Sequence, residues 1–318
     1  MIRVYLFFIF WIFASLPLPV AATGILLSTS PEVPRDGDTV AVIATPVGDS
    51  PTLVEFIWTV DGADVASGYG VQRITTRAPA LGESTLVEVT VRTGNTLIGS
   101  NTIDITPARV TLEWESNGLL PPGYNGRPLL GGQGAVRFLA VTEFVRRNGS
   151  RVPESDLVYT WKVNGKVRAS ESGYGKNVFF TEPPFFNNTF NVEVLVASRD
   201  TTLRATAGTV IRPVSPQVLV YETAPLSGPK LWRAITDSHE FIEEEVSFIA
   251  FPTYAGPALG SDIAWELNGK PLEFETTNTR TTVFKKTGSG SGSYRVRAAF
   301  ENPFKFLDFG EQSFLLHF

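Results

Sequence analysis

The chain has 318 residues, a net charge of −5 at neutral pH and no cysteine. That charge argues against a nucleic-acid binder, and the missing cysteine excludes disulfides, thiolate nucleophiles and a lipid-carrying thiol. Only 19% of residues are charged, while Thr, Val, Phe, Gly and Pro are plentiful, which is the composition of strands and turns.

Residues 1–22 read as a signal peptide. Arg3 supplies a short positive start, 4–16 is an apolar run, Pro17 and Pro19 break it, and Val20-Ala21-Ala22 offers small residues for cleavage before Thr23. An uncleaved anchor is the competing reading, because the 19 uncharged residues 4–22 are marginally enough to span a bilayer. Either way the rest of the chain is expected to be extracellular or at the cell surface, in contact with a membrane only if this segment stays on.

Beyond it the chain repeats itself. Phe56-Ile57-Trp58-Thr59-Val60-Asp61-Gly62 returns as Tyr159-Thr160-Trp161-Lys162-Val163-Asn164-Gly165 and again as Ile263-Ala264-Trp265-Glu266-Leu267-Asn268-Gly269, with the Trp residues 103 and 104 positions apart. A period of about a hundred residues marks a tandem array of one module. Each copy alternates with period two, as a strand with one buried face does. The Asp-Gly or Asn-Gly that follows is the preferred chemistry of a tight hairpin turn. Trp58, Trp161 and Trp265 are therefore expected to be core anchors. The predicted division is 24–106, 107–213 and 214–318, three all-β sandwiches of the immunoglobulin-like type.

In the first module the predicted strands lie at 25–28, 39–44, 54–60, 72–76, 86–91 and 97–105, with Ser67-Gly68-Tyr69-Gly70 as a turn whose Tyr caps the core. Asp36-Gly37-Asp38 reads as an acidic turn in preference to a calcium loop. The second module starts with a strand at 110–115, then carries a Pro- and Gly-rich insertion from Leu119 to Gly132 that includes Tyr124. Ser172-Gly173-Tyr174-Gly175 echoes the first module, and Phe185-Phe186 forms an aromatic tip after Pro183-Pro184. The third module has its own insertion, from Pro225 to Trp232, and a glycine- and serine-rich run at 288–293 that reads as a hairpin tip.

The repeated Trp strand with its Asp/Asn-Gly turn, followed by a late alternating strand such as Tyr294-Arg295-Val296, resembles the PKD and bacterial immunoglobulin-like repeats of surface proteins. It is similar, more closely, to secreted multi-sandwich proteins of small-genome bacteria, on the Tyr159–Gly165 and Ser172–Asn177 wordings. The resemblance implies extracellular scaffolding or adhesion and brings no catalytic residues with it.

No catalytic constellation is legible. The two histidines are His239 and His317, and there is no HExxH, GxSxG or P-loop pattern. His239 with Glu240, Glu243, Glu244 and Glu245 reads as a solvated polar loop. Neither an enzyme, a cofactor nor a metal site is expected. The expected function is an exported structural or adhesion protein, a rod on the order of 100 Å, from ~3.3 Å per strand residue, acting as spacer or envelope scaffold. The alternative is a specific protein- or carbohydrate-binding module using Tyr124, Phe185, Phe186 and Trp232 on the loops of the second and third sandwiches. Expected partners are envelope, pilus or surface proteins or glycans, and not nucleic acid.

Overall fold

The computed structural model describes residues 24–131, 133–183, 189–256, 262–274, 279–286, 288, 290–306 and 308–318. The signal peptide expected at 1–22 and the Phe185-Phe186 tip lie outside the described residues. The chain is all-β, with single 3-10 turns at Pro51–Leu53, Glu154–Asp156 and Ala169–Glu171 and no α-helix among the described residues. It forms two compact units. One holds the described residues up to Pro79 together with Ser84–Ile105; the other holds Ala80–Glu83 and Thr106–Phe318.

The first unit is a sandwich of two sheets. Strand Thr39–Val47 pairs Gly24–Ser30 on one side and Arg73–Arg77 on the other, while the facing sheet runs Ala63–Tyr69, Glu55–Val60, Thr85–Thr93, Thr96–Ile105. Alternation places Val40, Val42 and Ala44 of one sheet against Phe56, Trp58, Val87, Val89 and Val91 of the other, all fully buried.

The second unit contains two such cores. In one, Arg109–Ser116, Val136–Glu143 and Val178–Thr181 face the sheet of Leu157–Val163, Phe190–Ser198 and Arg204–Ile211. Trp161 stacks on Phe179 at 5.2 Å between ring centres, and Phe179 on Phe138 at 6.0 Å. In the other, Gln217–Ala224, Glu245–Thr253 and Thr281–Lys285 face Phe309–His317, Ser293–Glu301 and Ala264–Leu267. The short strand Ser238–Glu240 joins this last sheet parallel to Phe309–His317.

The hairpin after each Trp strand is built the same way. Asp61 and Gly62 have φ of 50° and 79°, Asn164 and Gly165 49° and 75°, Asn268 and Gly269 50° and 76°. Positive φ at both central residues is what matches the twist of the flanking strands. The Asp or Asn has a second task. Its side-chain oxygen accepts the backbone N–H of Leu86, Asn191 or Arg295 at 2.9 Å, so each turn is tied to the neighbouring strand.

Three expectations need correction. Ala63–Tyr69 is a strand paired with Glu55–Val60, and Tyr69 stands at its end 62% exposed, as does the equivalent Tyr174 at 59%; neither caps a core. The glycines of that motif serve the backbone, with φ of 147° and 71° at Gly68 and Gly70 and 138° and 66° at Gly173 and Gly175. The 288–293 run is no hairpin tip, because Thr281–Lys285 before it and Ser293–Glu301 after it lie in different sheets. His239 is not in a solvated loop: it sits in the Ser238–Glu240 strand with its side chain only 18% exposed.

Candidate functional site

Trp58, Trp161 and Trp265 are buried, opposite Val89, Val194 and Ala298 in the next strand. Each indole N–H donates to a backbone carbonyl of a connecting segment: Val71 at 2.7 Å, Lys176 at 2.9 Å and Thr279 at 2.8 Å. The indole thus fills the core while its own N–H finds an acceptor at the core's edge.

The second sandwich's insertion, in its described residues 119–131, is tied down by hydrogen bonds. Its base is closed by Asn117, whose N–H donates to the carbonyl of Ala135 at 3.1 Å and whose Oδ1 accepts the Ala135 N–H at 2.8 Å. Ser116 Oγ reaches the carbonyls of Pro128 and Leu129, both at 3.0 Å. Arg127 lies 4.8 Å from the centre of the Trp114 ring and pairs with Glu113.

From that base the insertion is stitched to the third sandwich. Leu119 packs against the third core, and its N–H donates to Ala255 while its carbonyl accepts from Tyr254, at 2.8 and 2.7 Å. The Val214 N–H donates to Leu130 at 2.8 Å. Lys305 Nζ donates to the carbonyl of Gln133 at 2.6 Å and pairs with Glu182 at 3.1 Å. Lys305 is held in a tight loop in which the buried Asp308 accepts from the Gly256 N–H and from Asn302 Nδ2. Approach at the joint is close: a Cβ built on Gly131 would lie 1.8 Å from the carbonyl oxygen of Tyr254.

Of the expected binding residues, Tyr124 is 49% exposed and Trp232 81% exposed. Their segments adjoin, since a Cβ on Gly123 would meet Leu231 at 3.9 Å. Trp232 borders a cavity of about 410 Å3 in the third sandwich, with Glu222, Lys230, Arg233, Asp237 and His239 also on its wall. Glu222 accepts from Lys230 Nζ at 2.6 Å and faces His239 Nε2 at 3.7 Å. Burial pushes the His239 pKa below its ordinary value; Glu222 opposes that shift, and Arg233 and Lys230 reinforce it. Sequence reading singled out Trp232 but not this cavity. The signal available was the mixture of charges within the Lys230–His239 stretch, next to an aromatic in an insertion.

No family model matches the chain. Among solved structures, the three N-terminal domains of the bacteriophage RB49 Highly Immunogenic Outer Capsid protein (Hoc) are similar at 14% identity, over 92% of this chain and 98% of that one, with a TM-score of 0.27. The central fibronectin-III array of RIM-binding protein is similar at 11% identity, over 94% of this chain and 97% of that one, with a TM-score of 0.30. The Clostridium thermocellum CbhA fibronectin(III)-like modules reach 13% identity, over 65% and 93%, with a TM-score of 0.24. At TM-scores this low, what can be said of the site comes from its own residues.

Proposed function

We propose that this chain is an exported, non-catalytic structural or adhesion protein of the bacterial surface-repeat type, divided at 24–106, 107–213 and 214–318, and that it serves as a spacer or envelope scaffold. The observation that carries the reading is the joint inside the second unit. A spacer transmits position and load, so its links must not swivel freely. Here the connection is made by paired backbone hydrogen bonds at Leu119, a third at Val214 and a lysine clamp at Lys305, in addition to the covalent link. Relative motion is the default between domains of one chain unless their interface is large and hydrophobic; against that default stand the packing of Leu119 on the third core and these backbone hydrogen bonds.

Fractionation of the producing cell tests the proposal. The chain is expected in the envelope fraction with residues 1–22 removed. Recovery from the cytoplasm with residues 1–22 attached overturns export, and recovery free in the medium overturns the scaffold in favour of a secreted binder. The rod expected from the tandem repeat belongs to the same proposal; scattering from the whole chain in solution tests it, and a compact globule excludes it.

A further inference from the structure

We propose that the cavity beside Trp232 binds a neutral sugar ring. This goes beyond the scaffold reading and does not depend on it.

The first ground is that the site is built before any ligand arrives. Strand Gln217–Ala224 supplies Glu222, and the chain then turns back so that the Lys230 N–H donates to the Glu222 carbonyl at 2.9 Å. The Leu231 N–H donates to Pro229 and that of Arg233 to Lys230, which folds the segment carrying Trp232 into tight turns. Ile235 then anchors the segment: its side chain is buried in the third core, and its N–H donates to Val220 at 2.8 Å. Beyond it, Gln312 Nε2 donates to the Thr236 carbonyl at 2.6 Å and the Leu315 N–H to that of Asp237 at 2.9 Å. The wall therefore crosses from one sheet to the other, held on both sides, so little ordering entropy is lost on binding.

The second ground is Trp232 itself. At 81% exposed it contributes almost nothing to the core, yet it stands on a fixed segment at the rim of a concave site. A large rigid aromatic in that position gains stabilisation only when an apolar face covers it. One face of a pyranose ring is such a surface: in a β-glucopyranose chair the axial C–H bonds of alternate carbons (C1, C3 and C5) share one face, while the equatorial hydroxyls project from the rim.

The third ground is the mixture of charges. A bare anion entering the cavity meets the Glu222 and Asp237 carboxylates, and a bare cation meets Lys230 and Arg233. An apolar side chain would strip water from all four. Hydroxyl groups both donate and accept, so a polyol can use the carboxylates and the cationic donors together. The cavity of about 410 Å3 lies within the ~300–1,000 Å3 span of small-ligand sites.

The test uses the whole chain and two probe sets: neutral methyl glycosides (gluco-, galacto- and N-acetylglucosaminides) in saturation-transfer NMR, and an array of neutral and acidic glycans. Neutral probes are expected to bind. Trp232→Ala should weaken that binding about tenfold or more while leaving the urea midpoint unchanged, because the side chain is exposed. Glu222→Gln should weaken it severalfold without removing the stacking face. Three results overturn the proposal: no transfer or array signal from any neutral sugar, binding that survives Trp232→Ala undiminished, or binding confined to acidic glycans.

Discussion

Replacing Gly131 by alanine puts a methyl group where the Tyr254 carbonyl oxygen already lies, 1.8 Å from the new Cβ. The obstacle is backbone, so no side-chain rotation relieves it, and the φ of Gly131 is not in the left-handed region, so the effect is one of space alone. Either the Tyr254-Ala255 segment or the insertion must withdraw. Withdrawal breaks the Leu119–Ala255 and Tyr254–Leu119 hydrogen bonds and strains Val214–Leu130. At about 1 kcal/mol net for each bond, with partial exposure of Leu119 adding about another, the joint should lose roughly 2–4 kcal/mol. The assay is urea denaturation combined with amide hydrogen exchange. The Leu119 and Tyr254 amides should lose protection, and unfolding of the second and third sandwiches should separate into two transitions. Gly24→Ala is the control, since nothing lies within 4 Å of a Cβ there, and it should stay within about 0.5 kcal/mol of the parent. If Gly131→Ala leaves both amides protected and the transition single, the joint does not couple the two sandwiches and the reasoning is wrong.

Three further outcomes follow from the same geometry. Trp161→Ala should destabilise its sandwich by about 3–5 kcal/mol, because the indole is fully buried, stacks on Phe179 and donates to Lys176; a urea midpoint shift worth under about 1 kcal/mol would show that the core collapses around the gap. Asn164→Gly keeps the positive φ accessible but removes the acceptor for the Asn191 N–H, so a loss of about 1 kcal/mol is expected; an unchanged midpoint would reduce the side chain to a turn former. Burial beside the Phe248 ring lowers the pKa of His239, with Glu222 opposing the shift and Arg233 and Lys230 adding to it. Its folded pKa lies below 6.5, so the unfolded chain takes up the proton first. Stability is then retained above pH 6.5 and lost as pH falls from there toward the folded value. Urea midpoints for wild type and His239→Gln across that range should diverge on the acid side, the wild type falling faster; parallel curves would refute the assignment.

The amino-acid sequence by itself determined the all-β class, the repeat and the identity of the core Trp residues. The reason is that these signals are local. A strand with one buried face must alternate, as Tyr159, Trp161 and Val163 do, and a tight hairpin needs residues that tolerate positive φ, as Asn164 and Gly165 do. Periodicity did not reveal Ala63–Tyr69 as a strand, because no residue of that edge segment is buried and the two half-covered ones are the small Ala66 and Gly68. The joint and the cavity were decided by tertiary structure alone. Backbone bonds such as Leu119 to Ala255 join segments well over a hundred residues apart and carry no side-chain signature, so nothing in the Leu119–Gly132 insertion distinguishes a docked element from a free loop. Glu222, Trp232 and His239 become neighbours only because Ile235 pins the connection between the two sheets of the third sandwich. That convergence depends on which sheet the Ser238–Glu240 strand joins, and the choice is made by its pairing with Phe309–His317 at the far end of the chain.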